Sequence, residues 1–141
     1  MHPPQAPRGA AAKLALRDQL VAARRRIPLP ELGEHARAIA ALDELIRRRP
    51  EEGTYYSDRG LCRYLKGDAA GAIADLETAI KLTPKFLPAY LSLGAVHSAG
   101  GRSARALKAY EEGLARAAAD EPLRGALTSA RAEILSKGRA E

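Results

Sequence analysis

Gly33, Gly67 and Gly101 stand 34 residues apart, and so do Ala38, Ala72 and Ala106. The same step relates Ile39, Ile73 and Leu107, and then Leu42, Leu76 and Tyr110. It continues through Leu45, Ala79 and Gly113, and through Ile46, Ile80 and Leu114. Pro50 and Pro84, Tyr56 and Tyr90, and Gly60 and Gly94 are also one step apart. Six chains in one register exceed what an Ala-rich composition supplies by chance, and a fixed period of this length marks stacked supersecondary units. Abundant Ala and Leu, beside scarce Val, Ile and Thr, make those units helical and leave little material for sheets.

The unit Tyr56-x-x-Arg59-Gly60, Ala72, Leu76-x-x-Ala79, Pro84 resembles the tetratricopeptide repeat, a two-helix module. Tyr90-x-x-Leu93-Gly94, Ala106, Tyr110-x-x-Gly113 resembles it equally, departing at Gly113 and at Ala118, where the family usually has Ala and Pro. The resemblance implies an all-α fold, a right-handed α-α superhelix of about three helix pairs closed by a C-terminal capping helix. It implies binding rather than catalysis, with an inner concave face lined mainly by the first helix of each pair.

The residue types fit that architecture physically. Gly60, Gly94, Ala72, Ala106 and Ala79 are small where paired helices approach most closely, and Tyr56 and Tyr90 fill the wider gaps beside them. Gly67-Asp68 and Gly101-Arg102-Ser103 supply tight turns, with Asp68 and Ser103 as N-caps. Helices are expected over 53–66, 69–82, 87–99 and 103–118, with Pro84 ending the second.

Toward the N-terminus, residues 36–49 keep the second-helix pattern and stop before Pro50. Pro28 and Pro30 break its partner, so a helix over 10–26 and a loop IPLPEL are expected, with Leu16, Leu20 and Ile27 facing the next helix. Leu123, Leu127, Ala130 and Ile134 form one apolar stripe opposite Arg124, Ser129, Arg131 and Glu133, as a docked terminal helix requires. The expected organisation is a disordered 1–9, a divergent first pair at 10–50, repeats at 53–86 and 87–120, and a cap at 121–137, seven helices in all. Met1 and the cap-like end favour a complete chain.

Catalytic and cofactor chemistry finds no foothold. No phosphate-binding glycine loop, HExxH or CxxC occurs, and one cysteine with three scattered histidines cannot build a zinc site. Neither a cofactor nor a metal is expected. His97 stands where the family commonly has a core aromatic, and reads as a packing histidine. Cys62 reads as a small half-buried side chain. Asp75 and Glu77 lie on opposite sides of one helix and are no catalytic pair. No apolar run reaches the length of a membrane span, the opening residues lack a signal-like apolar block, and a cytoplasmic setting is expected.

What remains is surface. The resemblance places Thr54, Ser57, Asp58, Leu61, Tyr64 and Leu65 of one repeat, and Leu91, Ser92, Ala95, Ser98 and Ala99 of the next, on the concave groove. Leu61, Leu65 and Leu91 are large, apolar and unused by the repeat's packing signature, which suits a partner protein's peptide or amphipathic helix. Chaperone adaptors of this family clamp a C-terminal carboxylate with Lys, Asn and Arg. At the corresponding places stand Ser57, Leu61, Pro88, Leu91 and Ser92, so that chemistry is missing.

The alternative rests on charge. Residues 1–50 carry ten basic and five acidic side chains, +5 of the chain's net +6. Arg24, Arg25, Arg26, Arg37, Arg47, Arg48 and Arg49 would form a patch for nucleic acid or another polyanion, although cations also simply suit helix C-termini. Self-association through the groove or cap is a further option.

Overall fold

The 34-residue step is realised as stacked helix pairs. The computed structural model describes residues 29–139. Its elements are α1 (Leu29–Arg48), α2 (Gly53–Leu65), α3 (Ala69–Leu82), α4 (Leu87–Ala99), α5 (Ser103–Arg116) and α6 (Pro122–Arg139). Among the described residues every regular element is an α-helix. α2 packs on α3 and α4 on α5 as pairs; α1 covers α2, α6 covers α5, and α4 also meets α2, α3 and α6. The result is an α-α solenoid.

Two expectations are corrected and others fall outside the description. The stretch 29–32 is helical rather than loop, because Pro30 is the second residue of α1, where a missing N–H and a fixed φ are tolerated. Ser103 is the first helical residue of α5 and not its N-cap; Arg102 holds the cap position and makes no side-chain cap bond. The described helices number six, and the expected seventh, over 10–26, lies outside the described residues with Leu16, Leu20, Ile27 and the 1–9 segment.

Close approach is set by side chains that are missing. A Cβ on Gly60 would stand 3.1 Å from the Ala72 carbonyl oxygen and 3.1 Å from the Asp75 Cβ. Gly94 lies directly against the Tyr110 ring, and a Cβ on Gly113 would come 2.8 Å from the Tyr90 Cβ. Ala72, Ala79 and Ala106 are fully buried at the same seams. Around them sit two touching cores: Leu76, Ala89, Leu93, Val96 and Ala109 between the repeats, then Leu87, Tyr90, Tyr110, Leu127 and Ile134 under the cap, with Ile80 against both. Tyr90 is completely buried and donates its hydroxyl to the Pro84 carbonyl at 2.7 Å.

Both tight turns are built the same way. Gly67 (φ 97°) and Gly101 (φ 79°) take the left-handed region that suits glycine. After α2, Gly67 donates to the Tyr64 carbonyl and Asp68 to that of Arg63; after α4, Gly101 donates to Ser98 and Arg102 to His97. This double closure is the Schellman motif. Asp68 then caps α3, accepting the Gly71 N–H at 2.8 Å. α5 has no proline to stop it and ends at Arg116, where Arg124 of α6 donates to the Ala117 carbonyl at 3.0 Å.

An ion network unforeseen in the sequence ties the first three helices. Arg59 of α2 forks onto Asp75 of α3 (Nε 2.9 Å, Nη2 2.7 Å), and its Nη1 reaches Asp43 of α1 at 2.8 Å. Arg63 adds a bond to Asp75 at 2.9 Å. The Asp75 side chain is 5% exposed, so these bonds are its substitute for water.

Replacing Asp75 with Ala leaves two guanidiniums facing each other and is expected to cost about 3 kcal/mol in urea denaturation. Gly101→Ala, in open space, should cost only the left-handed backbone penalty of about 1 kcal/mol. Gly94→Ala, against the Tyr110 ring, should cost more, up to about 3 kcal/mol; equal losses at both glycines would contradict the close-approach account.

Candidate functional site

First helices of adjacent repeats run side by side, so α2 and α4 line one face. Between them opens a cavity of about 170 Å³ walled by Leu61 and Tyr64 of α2 and Leu91, Ser92, Ala95 and Val96 of α4. Gly60 and Leu76 also line it. The walls are almost wholly apolar, and Leu61 is 44% exposed beside the opening. Five of the expected groove residues, Leu61, Tyr64, Leu91, Ser92 and Ala95, therefore meet at one place. Gly60, Leu76 and Val96 were not expected there; the repeat register marks the first two only as packing positions.

The other expected groove residues are elsewhere. Ser98 is buried, and its Oγ has no hydrogen-bond partner, because α4 is covered on several sides and nine of its thirteen residues are buried. Ser57 is likewise 7% exposed, on a helix packed by both α1 and α3. Neither lines the cavity, which corrects the expected placement of both on the open groove. Thr54 turns to Glu52, donating to its carboxylate at 3.0 Å. Asp58 is exposed, with partial desolvation pushing its carboxyl up from the ordinary value. Leu65 and Ala99 are half-buried outside the cavity.

The basic cluster is partly spent within its own helix. Arg47 and Arg48 both bond Glu44, whose carboxyl is held below its ordinary value chiefly by Arg47. Arg37 and Arg49 are exposed, and Arg24, Arg25 and Arg26 lie outside the described residues. Cys62 is half-buried, and burial together with the Asp58 charge pushes its thiol up, away from the reactive thiolate. Among the described residues no group of three His, Cys, Asp or Glu side chains is arranged to hold a metal, and no helix is long and apolar enough to cross a membrane.

His97 is 4% exposed, and its Nδ1 accepts the Arg102 Nε–H at 3.0 Å. A guanidinium can only donate, so Nδ1 is bare and the ring proton sits on Nε2. Burial first, and then the Arg102 and Arg105 charges, hold the imidazole below its ordinary value of 6.5, with Glu77 acting weakly the other way. The unfolded chain therefore takes up this proton before the folded one does. Stability should fall as pH drops below 6.5, and His97→Gln should flatten that slope in denaturation midpoints measured against pH. An unchanged slope would show that the imidazole stays protonated alike in both states.

Comparison with known proteins agrees with this geometry. Residues 31–86 match the tetratricopeptide repeat family model. The chain is 30% identical over 103 residues to small glutamine-rich tetratricopeptide repeat-containing protein 2 of Mycosarcoma maydis, covering 73% of this chain and 29% of that protein. It is 32% identical over 81 residues to the Hsp70-Hsp90 organizing protein of Triticum aestivum, covering 57% of this chain and 14% of that one. The SGT1 homolog of Bos taurus is 32% identical over 87 residues, 60% of this chain and 26% of its own. The chain thus spans less than a third of the length of these relatives. Among solved structures, the TPR2B domain of yeast Sti1 in its pHsp70 complex superposes with a TM-score of 0.68 at 20% identity, covering 87% of this chain and 98% of that one. MamA superposes at 0.58 with 19% identity, covering 93% and 83%. Repeat register, helix pairing, family match and fold neighbours agree that this chain is a tetratricopeptide-repeat protein.

Proposed function

We propose that the chain is a non-catalytic protein-interaction module, an adaptor or scaffold in a cytoplasmic setting, that holds a peptide or amphipathic helix of a partner protein in its concave groove. The observation that carries this reading is the apolar cavity between α2 and α4 with Leu61 exposed beside it. A dry cavity of roughly 150 Å³ accepts a benzene-sized group, so this one suits a single bulky apolar anchor, with the rest of the segment laid along the two helices. Relatives named for organising Hsp70 and Hsp90, and a fold neighbour in complex with pHsp70, support a protein partner. The charged clamp for a terminal carboxylate is absent where Pro88, Leu91 and Ser92 stand, which favours an apolar anchor over an acidic tail.

An affinity pull-down from nuclease-treated lysate tests it with wild type beside the Leu61→Glu/Leu91→Glu double variant. A partner held by wild type and lost by the variant, with helical circular dichroism unchanged, is the expected result. Equal retention by both forms would sink the groove reading. If that retained material also washes off with moderate salt, the arginine-rich half becomes the interface, since phosphate contacts weaken steeply with salt.

A further inference from the structure

A second, larger cavity of about 370 Å³ lies between α3 and α5, over α4, and the groove reading makes no use of it. Its meaning follows from the repeat register. Adding 34 to Asp43, Arg59, Arg63 and Asp75 gives Glu77, Leu93, His97 and Ala109. All four of those residues line this cavity. The site that holds a buried carboxylate and its two guanidiniums in one repeat is therefore an open space in the next. The carboxylate and both guanidiniums have been lost there, since Asp75 has become Ala109, Arg59 has become Leu93 and Arg63 has become His97.

Other cations, from different register positions, stand around the space. Lys81, Arg105 and Lys108 line the cavity, and among the described residues none of the three makes an ion pair. Arg102 stands behind them on His97 Nδ1, which leaves Nε2–H as the donor of a ring that is itself 4% exposed and lines the cavity. Against the three lining cations the lining carries Glu77 and Glu112. Ile80, Leu93 and Ala109 add an apolar floor beside the charges.

We propose that this cavity is a carboxylate-binding site, in which the acidic side chain of a partner protein occupies the place that Asp75 fills one repeat earlier. The carboxylate accepts from His97 Nε2–H and pairs with Arg105 and Lys108, charge-assisted bonds of the kind that Arg59 and Arg63 give Asp75. Its aliphatic stem rests on Leu93 and Ala109. The site is independent of the α2–α4 groove and does not depend on it for its test.

Propionate, which has the shape of a glutamate side-chain end, is the probe, read by the imidazole ¹H–¹⁵N signals of the protein. The His97 signals are identified by their loss in His97→Gln, and His35 on α1 serves as the internal control. Expected are the Nε2–H form of His97 in the free protein, a saturable shift of His97 with propionate, and no such shift at His35. Ala109→Asp supplies the carboxylate from within and should abolish the response. Should that variant fail to fold, Arg105→Gln, at an exposed position, should weaken propionate binding about tenfold, the loss of one charge-assisted contact. The proposal is overturned if His97 does not respond, if it moves only in step with His35, or if Arg105→Gln and a folded Ala109→Asp respond as wild type does. A response to inorganic phosphate without one to propionate also overturns it.

Discussion

Two helices can approach closely only where one of them gives up its side chain, and the rest of this solenoid depends on that constraint. Gly60 against Ala72, Gly94 against Tyr110, and Gly113 against Tyr90 are the contacts at which the crossings are fixed. Once the crossing is set, the large residues have only the space left beside it. Tyr90, Leu76 and Leu127 fill that space to near-zero exposure. A helix pair made in this way still presents an apolar flank, and only a neighbouring pair can cover it, which is why the units stack. At the C-terminal end α6 supplies that cover with Leu127 and Ile134, and Arg124 caps the carbonyl end of α5 on the way.

The same stacking creates two kinds of groove, one between first helices and one between second helices. Between α2 and α4 the side chains are mostly apolar and leave a small recess. Between the second helices the content changes from repeat to repeat. Around α2 it is a closed ion network on Asp75, and around α4 it is a cavity lined by three cations and two glutamates. The backbone register repeats through packing, while the polar content of the groove differs between the two repeats.

Much of the fold was legible in the sequence because packing at seams demands particular residue types at particular steps. Gly, Ala and Tyr at 34-residue intervals located α2 to α5 to within two residues at either end. Positive φ at Gly67 and Gly101, the Asp68 cap and the docked face of α6 follow from the same local chemistry. The candidate groove was legible for residues that face across it, Leu61, Tyr64, Leu91, Ser92 and Ala95. Ser57 and Ser98 were misplaced because helical phase alone does not tell how many neighbours surround a helix, and α4 has neighbours on almost every side. Pro30 misled for a different reason, since a proline reads alike in a loop and in a first helical turn.

The sequence by itself determined the period, the helices of the two full repeats, their turns and the residues that must be small, since each of these is a local or nearest-neighbour demand that recurs from one repeat to the next. Only the tertiary structure decided that Arg59 and Arg63 share Asp75 with Asp43 close by, and that Ala109 leaves a cavity where a carboxylate stood one repeat before. Those outcomes turn on the distance and direction between side chains from three different helices. No periodicity along one chain encodes a distance of that kind; it exists only once the helices have been brought together.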